Sequence, residues 1–96
     1  MLNRASALER VLRRLEESAP SGERWVVLDD KTIEKPYGWI YFYNSERFVV
    51  TGDPLYRLAG NGPVFVNKGT ETIDFFGSIP TLDVIVAEYE RKLSRR

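Results

Sequence analysis

Apolar residues recur three and four apart near the start of the chain. Leu8, Val11, Leu12 and Leu15 form one stripe, which predicts an amphipathic helix ended by Pro20-Ser21-Gly22. From Trp25 to Phe76 the period changes to short runs rich in β-branched and aromatic residues: WVVLDD, IEK, GWIYFY, RFVVT, VFVNK and TIDFF. Turn residues such as Asn44-Ser45 and Asn67-Lys68-Gly69 separate them, so the segment predicts an antiparallel meander. Within it, Asp53 before Pro54 has the form of an N-cap and a first helical residue, with Gly60 as the stop. Beyond Pro80, Leu82, Ile85, Val86, Tyr89 and Leu93 mark a closing helix. These elements predict an α+β fold: an antiparallel β-sheet meander flanked by an N-terminal and a C-terminal helix packed on one face, in a single domain spanning 1–96.

Strand alternation divides GWIYFY between two faces. Ile40 and Phe42 suit the dry side beneath the helices, whereas Trp39, Tyr41 and Tyr43 combine apolar bodies with polar tips, as interface residues do. An open sheet face carrying these three aromatics is one expectation. The other is that they stiffen the sheet by cross-strand pairing.

Composition narrows the chemistry. The 96 residues include neither cysteine nor histidine, so disulfides, thiolate metal sites, the usual general base and every Ser-His or Cys-His arrangement are unavailable. No apolar run approaches the length of a membrane span, and the N-terminus lacks the apolar centre of a signal peptide; a soluble, cytoplasmic protein with no membrane partner is expected. Net charge is zero, yet residues 21–90 hold six basic against eleven acidic groups, while residues 91–96 hold four basic groups and no acid. An acidic body disfavours nucleic acid and favours a basic protein partner. The basic tail fits a helix C-terminus, where the dipole favours cations.

RLAGNGPVFVNKGT, Arg57 to Thr70, has the residue types of a phosphate loop in the wrong order. A Walker loop needs Gly-Lys-Ser/Thr opening a helix. Here Lys68-Gly69-Thr70 follows a strand-like VFV run, so 60–63 reads as a turn into a strand and 67–70 as a hairpin turn in which Gly69 supplies a positive φ. Asp29-Asp30, an adjacent acidic pair, would point opposite ways on a strand and reads as a strand end entering a turn. No nucleophile has a base in its sequence context. Neither an enzyme, a metal site nor a cofactor is expected.

GWIYFYNSERFVVTGDPLYRLAGNGPVFVNKGTETIDFFGSIPTLDVIVAEYE, about Gly38 to Glu90, resembles the YrhB-like family, also named immunity protein 35. The resemblance rests on Gly38-Trp39, Thr51-Gly52-Asp53, Leu58-Ala59-Gly60-Asn61 with Pro63, Gly69, and Tyr89-Glu90, in that order and spacing. The charged lead-in WVVLDDKTIEKPYG is longer than the family pattern. Membership implies a small cytoplasmic immunity protein of a bacterial polymorphic toxin system, which binds and neutralises a cognate toxin domain by contact and without catalysis. It makes Gly52, Gly60, Asn61, Pro63 and Gly69 a structural signature, with Asn61 either part of the scaffold or presented to the partner. Trp39, Tyr41 and Tyr43 are then candidate toxin anchors, with Asp29, Asp30, Glu34 and Asp53 as acidic complements to a basic toxin. Two rival readings use the same aromatic face: a chaperone-like or peptide-binding module, and a single-stranded nucleic-acid binder, which the acidic body opposes.

Overall fold

The computed structural model describes residues 2–58, 61–77 and 80–94. Its elements in chain order are α1 (Arg4–Ser18), β1 (Trp25–Val27), β2 (Ile33–Lys35), β3 (Gly38–Tyr41), β4 (Tyr43–Ser45), α2 (Glu46–Thr51), β5 (Asn61–Asn67), β6 (Ile73–Gly77) and α3 (Leu82–Ser94). Single 3-10 turns occupy Asp29–Lys31 and Pro54–Tyr56. The first agrees with reading Asp29-Asp30 as a strand end, and the second starts where Asp53 and Pro54 predict it. The α+β class with helices at both ends is as the sequence predicts.

Four strands form one antiparallel sheet in the order β2-β3-β5-β6, and β1 pairs with β4 in a separate two-stranded sheet. β3 and β5 are adjacent, so β4, α2 and the second 3-10 turn make an excursion between two neighbouring strands. GWIYFY is accordingly not one strand: it breaks at Phe42, and β4 turns away to pair Tyr43 with Val27 and Ser45 with Trp25.

The helices lie on opposite faces of the sheet, not together on one. Trp39, Tyr41, Val64 and Val66 pack with Ala7, Val11 and Leu15 of α1. Ile40 and Phe65 pack with Ile85 of α3, flanked by Leu82, Val86 and Tyr89. The register, Trp39 opposite Val66, Ile40 opposite Phe65 and Tyr41 opposite Val64, assigns these residues alternately to the two sides. The physical reason is that the central strands have no polar face. Consecutive apolar residues in Trp39–Tyr41 and Val64–Val66 require cover on both sides, and α1 and α3 each give it on one side.

RFVVT, expected as a strand, forms most of helix α2. Two local signals outweigh the β-branched pair Val49-Val50. The Ser45 hydroxyl caps the helix by accepting from the Phe48 amide at 3.2 Å, and Gly52 closes it in the left-handed conformation at φ 72°. α1 starts with a reciprocal Asn3–Ser6 capping box and stops before Pro20.

Candidate partner-binding surface

The open aromatic face does not exist, because α1 covers it. Tyr41 is fully buried and Trp39 is 4% exposed. The Tyr41 hydroxyl, expected to face a partner, donates to the Arg4 carbonyl at 3.0 Å in the first turn of α1. Burial pushes its pKa up to about 12; Asp29 and Glu34 add to the rise and Arg4 opposes it. Lys68 lies over the Trp39 ring, its ammonium 5.2 Å from the centroid. Tyr43 is half-buried between Trp25 and Phe75, with ring centroids 5.7 and 6.2 Å away.

All four predicted acidic residues are exposed. Asp29 faces Arg4 at 3.4 Å and accepts from the Thr32 hydroxyl, so Asp29, Glu34 and Arg4 gather near the Tyr41 hydroxyl. Asp53 stands apart on the excursion, where it caps the 3-10 turn through the Leu55 amide at 3.0 Å.

Of the signature residues, Gly52 closes α2, and Asn61 and Pro63 lie in β5. Asn61 donates its side-chain amide to the Tyr43 carbonyl at 2.7 Å and ties β5 to β4, a contact that serves the scaffold. Asn61 to Pro63 belong to β5 itself, not to a turn before it. They carry an irregular step in register between the pairs Asn61–Gly77 and Val64–Phe75, where a proline without a backbone N–H is tolerated. A Cβ at Gly62 would sit 2.0 Å from the Gly77 carbonyl oxygen, so this close strand approach excludes any side chain. Gly69 is not the positive-φ residue of the hairpin turn; Glu71 is, at φ 62°. The Asn67 side-chain oxygen accepts from the Gly69 and Thr70 amides and sets the turn instead. Gly60 lies outside the described residues. A strand on one side of Lys68 and a hairpin turn on the other leave no helix N-terminus for a nucleotide phosphate.

The residues that sequence reasoning missed lie on the excursion. Val50 is 77% and Leu55 81% exposed, with Val49 and Tyr56 also at the surface. This apolar segment is clamped from beneath by polar groups. The buried Asn44 side chain accepts from the Ser45 amide at 2.8 Å and the Leu58 amide at 2.9 Å. The Ser45 hydroxyl donates to the Tyr56 carbonyl while it caps α2. The available signal was the sequence Asn-Ser followed by Glu-Arg-Phe-Val-Val-Thr-Gly: a cap, too few residues for a second turn of cover, and a glycine stop.

A cleft of about 340 Å³ lies beside this segment, lined by Glu23, Arg24, Glu46, Arg47 and Tyr56. Arg47 stacks over the Tyr56 ring at 5.3 Å, and Arg24 pairs with Glu46 at 3.5 Å. Glu23 and Arg24 also line a larger cleft of about 640 Å³ between the end of α1 and β1, so the two clefts share these residues. On the opposite side of the molecule the Tyr37 hydroxyl donates to Glu90 of α3 at 3.1 Å, and burial with that carboxylate raises its pKa. Among the described residues no group of three or more acidic side chains is placed to hold a metal ion, and no helix is long and apolar enough to cross a membrane.

Fold and surface together define a small α+β domain whose most exposed apolar groups stand on a clamped helical excursion between two core strands. The chain belongs to the immunity protein 35 family, whose profile matches residues 5–92. It is 34% identical over 55 residues to the uncharacterized protein YrhB of Escherichia coli (strain K12), a stretch that spans 57% of this chain and 58% of that protein. No solved structure matches the chain.

Proposed function

We propose that this protein is a bacterial immunity protein that binds and neutralises a cognate toxin domain in the cytoplasm by protein–protein contact, without chemistry of its own. The observation that carries the reading is membership of the immunity protein 35 family across residues 5–92. The surface supports it in kind. A rigid apolar patch at Val49, Val50, Leu55 and Tyr56 gives a partner anchoring area at little ordering cost, because Asn44 and Ser45 already fix the backbone that carries it. Asp53 at its edge, together with Asp29, Asp30 and Glu34, supplies negative charge to steer a basic toxin. Trp39 and Tyr41 act beneath the surface, holding the sheet to α1.

The test is expression of the product of the neighbouring gene with and without this protein. Rescue of growth together with a stoichiometric complex supports immunity. Absence of both, with suppression of aggregation of unrelated proteins instead, supports the chaperone reading, for which the same exposed apolar residues would serve.

A further inference from the structure

The larger cleft, between the last turn of α1 and β1, has a mixed lining that fits one kind of side chain. Its lining joins the apolar residues Leu12, Ala19, Trp25 and Val26 with Glu16 and Glu23. Neither glutamate takes part in an ion pair among the described residues. Arg24, the one cation lining the cleft among the described residues, is engaged with Glu46.

The helix adds to the negative potential. α1 ends with no basic residue in its last turn and instead places Glu16 and Glu17 there, against its own dipole. Helix C-termini ordinarily carry cations, and a local rule broken on an exposed surface points to function. Leu12, exposed at 42% on the same helix, lines the cleft and leaves part of its apolar surface open to solvent.

We propose that this cleft receives a lysine or arginine side chain of the toxin domain, which places the basic patch of the partner against the end of α1. The methylene stem lies on Leu12 and Trp25, and the charged head reaches Glu16 and Glu23 at the rim, completing the missing positive charge of the helix end. The indole face of Trp25 adds a cation–π contact. This inference rests on the toxin-binding reading. It adds a second acidic contact to the charge of Asp29, Asp30, Glu34 and Asp53, at a cleft that shares Glu23 and Arg24 with the one beside α2.

The experiment is calorimetric titration of the toxin domain encoded beside this gene into the wild type, Glu16→Gln/Glu23→Gln, and the control Glu9→Gln, at low and moderate salt. Both cleft positions are exposed, so the isosteric change leaves the fold intact. The expected result is a loss of about tenfold or more in affinity for the double variant, with a shallower salt dependence, and no change for Glu9→Gln. Charge reversal by Glu16→Lys/Glu23→Lys weakens binding further. Wild-type binding with an unaffected double variant, or an equal loss in the Glu9 control, overturns the cleft while leaving immunity standing. Failure of the wild type to bind overturns the toxin-binding reading itself, and the cleft with it.

Discussion

β3 with β5, and the excursion that separates them in sequence, are both rich in aromatic and β-branched residues, yet they meet opposite fates. In the strands Tyr41, Ile40 and Val64 are fully buried; on the excursion Val50 and Leu55 are largely in water. The difference is in what covers them. Each strand face lies under a full helix, α1 or α3, whereas α2 is six residues long, is capped by Ser45, and leads into a segment whose end Asn44 holds through the Leu58 amide. Apolar residues fixed by polar anchors, with their own side chains left uncovered, stabilise the fold little and suit a partner. The strand residues do the reverse.

The largest effect expected from this contrast is in the core. Tyr41→Ala removes a buried ring and its bond to Arg4, and costs about 3–5 kcal/mol of stability by urea denaturation. A cost near zero would mean that α1 does not seal that face. Asn44→Ala leaves the Ser45 and Leu58 amides without their acceptor and costs about 1–3 kcal/mol. Amide hydrogen exchange should then accelerate at 46–58 more than in β5. Uniform acceleration would show that the clamp is not local. Val50→Ser/Leu55→Ser, by contrast, changes stability by less than about 0.5 kcal/mol while weakening toxin binding by about tenfold or more.

A separate effect is in the pH dependence. The Tyr41 pKa is raised from 10.0 to about 12, so folding favours the protonated phenol. The stability this gives is fully present below pH 10 and is lost as pH rises towards 12. Tyr41→Phe should therefore flatten the alkaline decline between those values in a pH series of urea midpoints. An unchanged slope would place the phenol in a wetter setting than beneath α1. Tyr37 and Tyr43, also raised, account for what decline remains.

Much of the fold was legible in local pattern. The stripes Leu8–Leu15 and Leu82–Leu93, the strand runs and the Asp53-Pro54 cap each encode an element within a few residues, and the ordered short motifs encode the family. Periodicity assigns residues to faces but does not say which layer covers a face. Trp39 and Tyr41 therefore read as an open surface, although the run of apolar residues on both sides of β3 already demanded two covers. α2 was hidden for another reason: in Phe48-Val49-Val50 strand propensity and helix capping conflict, and the caps at Ser45 and Gly52 prevail. The exposed patch follows from that conflict. A six-residue helix of this composition cannot bury all its apolar groups, and no periodic signal marks which of them stay outside.

The most direct test of the central claim is titration of the neighbouring gene's toxin domain into the wild type and into Val50→Ser/Leu55→Ser, with growth rescue scored in parallel. A stoichiometric wild-type complex that protects cells is expected, with a folded variant that has lost affinity and protection together. A variant that binds and protects as well as the wild type would contradict the claim.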